Sequence, residues 1–181
     1  MIKRIILVLT ALALIGAGAF WPLTAPSTRS LADLPVHEPD VEHGQYMFYA
    51  GGCASCHATP GSEDKLALGG GLKLASPFGD FYVPNISPDP DDGIGGWSDY
   101  DIANAMMAGV SPDGAHYYPA FPYTTYAKMD PPDALDLIAY LRTLPSDATP
   151  SRAHDVGFPF NIRRSLGGWK FLFAGTDWVM Q

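Results

Sequence analysis

Two cysteines and a histidine stand within five consecutive residues, Cys53-Ala54-Ser55-Cys56-His57. Thiols at this spacing can each add to a vinyl group of one porphyrin, and the histidine that follows then faces the iron. The pattern therefore predicts one covalently bound haem c, with Cys53 and Cys56 as attachment points and His57 as the proximal iron ligand. The chain has two cysteines in total, so this site leaves none for a disulfide framework.

Two other chemistries use cysteines at this spacing. A structural zinc site needs four clustered nitrogen or sulfur ligands, whereas the remaining histidines (His37, His43, His116 and His154) are single and scattered. A thioredoxin-like redox pair needs a βαβ context, and this motif is flanked by glycine- and proline-rich segments. Covalent haem is therefore the favoured interpretation.

Three helices are predicted around the motif, which indicates a mostly α fold. Residues 40–50 precede the cysteines directly, and residues 98–107 and 130–144 form a middle and a C-terminal helix. Gly44 and Phe48 lie one turn apart on the first helix, so the C-terminal helix can cross it closely there. The loops between the motif and residue 126 are rich in glycine and proline, and we expect them to pack on the faces of the haem.

The N-terminus has the pattern of an export segment. Lys3 and Arg4 precede an apolar run to Trp21, and Ala17-Gly18-Ala19 offers a cleavage site of the signal-peptidase type. Residues 1–21 are predicted as a cleaved signal peptide or a retained membrane anchor, and either one places the chain on the periplasmic side of the cytoplasmic membrane. Residues 22–39 are predicted as a proline-rich tether, residues 40–150 as one haem domain and residues 151–181 as an apolar and basic C-terminal extension.

Charge is distributed unevenly along the chain. Residues 40–150 carry fifteen acidic and four basic side chains, whereas basic side chains outnumber acidic ones from residue 151 onward. An acidic body binds nucleic acid poorly and suits a partner with a basic docking face. Charge of this kind also keeps a domain soluble, so it does not identify that partner by itself.

Several further motifs occur in a fixed order. They are Ser76-Pro77-Phe78-Gly79, Asn85-Ile86-Ser87-Pro88-Asp89-Pro90, Gly93-Ile94-Gly95-Gly96-Trp97-Ser98, Asp113-Gly114-Ala115-His116, Tyr118-Pro119-Ala120-Phe121-Pro122-Tyr123 and Ile138-Ala139-Tyr140-Leu141. From about residue 42 to 173 the chain resembles the cytochrome c subunits of membrane-bound alcohol, gluconate and related dehydrogenases. The resemblance implies a class I cytochrome c fold and an electron-relay subunit. Such a subunit takes electrons from a flavin- or quinone-cofactor dehydrogenase and passes them to quinone or another acceptor.

The sixth iron ligand is where the chain departs from this family. A methionine often stands in the family where this chain has Phe121, which cannot bind iron. The resemblance implies Met129 instead, because it stands just before the C-terminal helix, where class I cytochromes commonly place their ligand loop. There are two alternatives to Met129, namely His116 as a second histidine ligand and an open coordination position. Met106 and Met107 are expected in the core.

The number of haem motifs is a second departure. Members of this family generally carry two or three C-x-x-C-H sites in one chain, and this sequence has one. The favoured function is an electron carrier without catalytic residues, and two other functions stay open. Phe121 leaves open a haem protein with an open iron position, such as a peroxidase-like enzyme or a gas sensor. The single C-x-x-C-H site leaves open a fragment of a multihaem subunit.

Overall fold

The computed structural model describes residues 1–30 and 34–174 of the chain. It begins with an apolar helix, α1 (Ile2–Leu23), in which no residue is buried. With a mean hydropathy of 2.2, α1 is long and apolar enough to cross a membrane. A signal sequence near an N-terminus has the same properties, so this helix by itself does not distinguish an anchor from a leader.

Two crossing helices form the frame of the domain, as the sequence predicts. Helix α2 (Val41–Ala50) begins after Asp40, whose carboxylate accepts hydrogen bonds from the first turn, and α6 (Pro131–Leu141) begins after Asp130. A Cβ on Gly44 would overlap the backbone of α6 and lie 2.9 Å from the Cβ of Tyr140. The missing side chain of Gly44 is therefore what lets the two helices approach this closely.

The core continues from this crossing toward the middle helix. Phe48 is fully buried, with its ring centroid 5.3 Å from that of Tyr140. Helix α4 (Asp99–Ala108) begins with a capping box between Ser98 and Asp101 and packs Ile102 into the same core. It ends at Gly109, where φ is +60° and a Cβ would lie 2.6 Å from the ring of Tyr123.

The remaining elements are short. Helix α3 (Cys53–His57) carries the haem motif, and α5 (Tyr123–Tyr126) precedes α6. An antiparallel sheet that the sequence reading did not predict has the order β1 (Lys73–Ser76), β2 (Gly79–Tyr82) and β3 (Asp155–Val156). The chain then forms a 3₁₀ turn (Arg163–Ser165) and α7 (Leu166–Phe173).

Hydrogen bonds hold the loop after β2 in place. The amide of Asn85 donates to the carbonyls of Asp147, at 2.6 Å, and Thr149, at 2.9 Å. Its carbonyl accepts a bond from the backbone of Ser87, and both side chains are almost fully buried. Asn85 therefore closes two loops onto each other, and this contact accounts for its burial.

Two residues of the segment predicted as a tether contact the domain. Thr24 is 3% exposed, and the backbone N–H of Arg29 donates to Asn104 at 2.7 Å. The guanidinium of Arg29 donates to the carbonyl of Ala127, and the hydroxyl of Tyr100 donates to the carbonyl of Arg29. These polar contacts join Arg29 to α4 and to the residue that follows α5.

Candidate functional site

The cysteines and the histidine of the motif lie together on the five-residue helix α3. The chain enters this helix at Gly52, which has a φ of +66° and so favours glycine. Cys53 is partly buried and Cys56 is exposed, and both are free thiols. Burial raises the pKa of Cys53 to about 11, so its sulfur is a protonated thiol near neutral pH.

The imidazole of His57 is held in one tautomer. Its Nδ1 lies 2.9 Å from the carbonyl oxygen of Pro84. Because a carbonyl can only accept, Nδ1 must carry the proton, and the lone pair is therefore on Nε2. Burial also lowers the pKa of His57, which keeps the ring neutral. A neutral imidazole oriented through its second nitrogen is the arrangement of a metal-ligating histidine.

Tyr126 connects the motif with the segment that contains Met129. Its hydroxyl donates to the carbonyl of Gly51 at 3.0 Å, two residues before Cys53, and its own carbonyl accepts from the backbone N–H of Met129 at 3.0 Å. Burial raises the pKa of Tyr126, and the neighbouring Cys53 and Cys56 raise it further. Met129 itself is partly buried and packs against the core. Met129 thus lies on a segment that is bonded to Gly51, two residues before the motif.

Phe121 belongs to an aromatic group beside the same segment. Its ring centroid lies 5.7 Å from that of Tyr126 and 5.9 Å from that of Tyr117. Burial raises the pKa of Tyr117 to about 12, and all three of these aromatic residues are partly buried. An apolar ring at position 121 therefore packs among aromatic neighbours.

His116 lies at a different place in the fold. Its side chain is 2% exposed, and its Nε2 donates to the carbonyl of Thr24, just beyond α1, at 3.0 Å. Arg163 Nε donates in turn to the carbonyl of His116 at 2.7 Å. Met107 on α4 is buried in the core and Met106 packs against it, as expected from the sequence. These contacts make His116 and the two methionines part of the structural framework.

Comparison with known proteins identifies the family. The family model described as cytochrome c matches residues 41–145, which is more than half of the chain. The chain belongs to the cytochrome c family. The mostly α fold expected from the sequence is thereby confirmed as a cytochrome c fold, and the predicted crossing of α2 with α6 lies inside the matched region.

Three relatives extend the family assignment. The cytochrome is 48% identical over 174 residues to a diheme cytochrome c-type protein of Cereibacter sphaeroides, covering 94% of this chain and 58% of the relative. It is 37% identical over 163 residues to the fructose dehydrogenase cytochrome subunit of Gluconobacter japonicus, covering 89% of this chain and 32% of the relative. It is 35% identical over 149 residues to the gluconate 2-dehydrogenase cytochrome c subunit of Pantoea cypripedii, covering 82% and 33%. The chain thus spans between a third and about three fifths of these relatives, and the resemblance to dehydrogenase cytochrome subunits is confirmed.

The donor set of this cytochrome c domain fits a covalent haem. Cytochromes of this family bind haem through thioether bonds, and α3 supplies two free thiols beside a neutral imidazole with an available Nε2. Sequence reasoning did not single out Pro84 or Tyr126, although both contact the motif. A carbonyl acceptor leaves no pattern in a sequence, and Tyr126 was signalled only by its position just before the Lys128-Met129 pair.

Proposed function

We propose that this cytochrome carries one haem c and transfers single electrons between a dehydrogenase and an acceptor such as quinone. The observation that carries the proposal is the His57–Pro84 hydrogen bond, which holds a neutral imidazole beside both cysteines. In this proposal Cys53 and Cys56 form the two thioether bonds, and His57 is the proximal ligand. The haem supplies the reversible one-electron chemistry, and the protein orients the ligands and excludes water from the iron.

Met129 is proposed as the sixth ligand. Its segment is bonded through Tyr126 to Gly51, two residues before the motif, whereas the contacts of His116 are with Thr24 and Arg163. A thioether opposite an imidazole raises the haem potential and closes the iron against small ligands. Both properties suit an electron carrier, because an electron can cross an exposed haem edge without any bond being made or broken at the iron.

Carbon monoxide binding distinguishes this function from that of a haem protein with an open iron position. The full chain, matured with haem and kept in detergent, should show no fast spectral change when carbon monoxide is added to its reduced form. Met129→Leu should bind carbon monoxide and serves as the positive control. Rapid binding by the wild-type protein would contradict the electron-carrier assignment and favour a gas sensor or a peroxidase-like enzyme.

A membrane location on the periplasmic side is also part of the proposal. Arg164 Nη2 donates to the carbonyl of Trp21 at 2.6 Å, and its Nε donates to the hydroxyl of Thr24 at 3.0 Å. Gly167 of α7 packs against the backbone of Thr24 so closely that a Cβ would overlap it. Both Trp21 and Thr24 lie after the Ala17-Gly18-Ala19 cleavage site, so these contacts are compatible with a retained anchor and with a cleaved signal peptide.

The dehydrogenase partner is proposed from the relatives and from charge. Two of the relatives are cytochrome subunits of fructose and gluconate dehydrogenases by name. Residues 40–150 carry more acidic than basic side chains, which suits a partner with a basic docking face. We therefore expect the rate of association with that partner to fall as salt is added.

A further inference from the structure

A cluster of histidine and aspartate side chains lies on the side of the α2–α6 crossing where α2 begins. Its centre is Asp136 on α6, whose side chain is 5% exposed. The imidazole of His37 donates to one carboxylate oxygen of Asp136 at 2.6 Å, and His43 Nδ1 donates to the other at 2.9 Å. The backbone N–H of Asp40 adds a third bond, at 2.7 Å. A buried carboxylate is thus shared by α6, the start of α2 and the segment that precedes it.

Three atoms of this cluster converge on one point. His43 Nδ1 lies 2.9 Å from Asp136 Oδ2 and 3.9 Å from Asp133 Oδ1, and all three ligand atoms lie within 4.8 Å of one another. A tetrahedral metal with bonds of about 2.0–2.2 Å needs ligand atoms roughly 3.3 Å apart. The His43–Asp136 and His43–Asp133 separations bracket that value, and the side chains of His43 and Asp133 are partly exposed.

Access and charge both favour a cation at this point. His43 and Asp133 are 40% and 35% exposed, so an ion can approach from solvent, while Asp136 forms the buried floor. Asp133 and Asp136 lie three positions apart on α6 and therefore share a face of that helix. Two carboxylates and one imidazole form a donor set that suits zinc, with a fourth position left for water.

We propose that His43, Asp133 and Asp136 form a binding site for a divalent cation of the zinc type. The cation replaces the proton on His43 Nδ1, and the ring that ligates it is neutral and carries its one proton on Nε2. His37 bonds the other oxygen of Asp136 and so holds the carboxylate in position. A bound ion joins α2 to α6 at the crossing that frames the haem domain, and it therefore stabilises the folded state against unfolding.

Zinc titration by calorimetry tests this proposal on the full chain matured with haem, without a histidine tag. The wild-type protein should bind one Zn²⁺, and its melting temperature should rise with zinc concentration. Asp133→Asn should bind at least tenfold more weakly, and because Asp133 is partly exposed this variant should fold normally. His43→Gln should lose the site, whereas Glu42→Gln removes an exposed acidic side chain from the same turn of α2 and should bind zinc like the wild type.

Two results would overturn the proposal. One is wild-type binding no stronger than that of His43→Gln, which would make the cluster a hydrogen-bond network only. The other is undiminished affinity in Asp133→Asn, or a tenfold loss of affinity in Glu42→Gln, either of which would place the ion elsewhere on the acidic surface. The haem spectrum of each variant, measured before titration, verifies that the haem site itself is intact.

Discussion

At the scale of single residues, the site depends on which atom of each side chain is free. The Pro84 carbonyl occupies Nδ1 of His57 and leaves Nε2 with a lone pair, whereas the Thr24 carbonyl occupies Nε2 of His116. The two histidines therefore have opposite tautomers. We propose His57 as the iron ligand, and His116 bonds Thr24, just beyond α1.

The proposed role of Met129 leads to a spectroscopic prediction. A methionine bound to ferric haem gives a weak near-infrared band, so the oxidised wild-type protein should show this band and Met129→Leu should lack it. Met106→Leu makes the same change in a methionine that packs against the core from α4, and it should keep the band. If the band survived in Met129→Leu, another side chain would be the sixth ligand.

At the scale of secondary structure, the α2–α6 crossing depends on one glycine. Gly44→Ala should lower the free energy of unfolding by about 2 kcal/mol, because the added Cβ overlaps the backbone at Asp136 and the helices must separate. Chemical denaturation measures this loss. Gly157→Ala adds a methyl group where no atom lies within 4 Å, so it should change stability by less than about 0.5 kcal/mol. Equal stability of the two variants would contradict the crossing.

Elements with local signals could be predicted from the sequence, and elements formed by distant contacts could not. The capping box at Ser98 and the Gly44–Phe48 spacing are local patterns, and the structure confirms the helices that they predicted. The helix predicted over residues 130–144 is α6, and it ends at Leu141. The pairing of β2 with β3 joins residues more than seventy positions apart, as Asp80 with Asp155, and short strands of this kind carry little periodicity.

The candidate haem site also contains residues with a local sequence signal and residues brought in by distant contacts. The C-x-x-C-H pattern is contiguous, so Cys53, Cys56 and His57 could be selected directly from the chain. Pro84 bonds His57, and Tyr126 bonds Gly51 beside the motif, only because distant segments fold back onto it. The contacts of Arg29 with Asn104 and Ala127 likewise depend on tertiary packing and leave no local pattern in the sequence.

At the scale of the whole molecule, the C-terminal end of α1 contacts the segment that ends the described chain. Trp21 and Thr24 at the end of α1 bond to Arg164, and Gly167 of α7 packs on Thr24. Lys170 on the same helix donates to the carbonyls of Ala108 and Gly109 at the end of α4, both at 2.7 Å. Arg164, Gly167 and Lys170 therefore link the end of α1 to the core.

Lys170 gives this junction a pH dependence. Burial lowers the pKa of Lys170 from 10.5 to about 8. Between these values the unfolded chain binds the proton more tightly, so stability should increase as pH rises through this range. Because Lys170 is only partly buried, we expect a gain of about 1 kcal/mol or less between about pH 8 and 9.5. Denaturation of the wild type and Lys170→Met should show the gain in the wild type only; the same gain in both would contradict it.

The covalent attachment of one haem is the central claim, and the intact mass of the chain after maturation tests it most directly. The wild-type protein should have the mass of the polypeptide plus one haem that acidic organic solvent does not extract. The Cys53→Ala/Cys56→Ala double variant should have the mass of the polypeptide alone. A wild-type mass without haem, or haem that remains covalently bound in the double variant, would contradict the account.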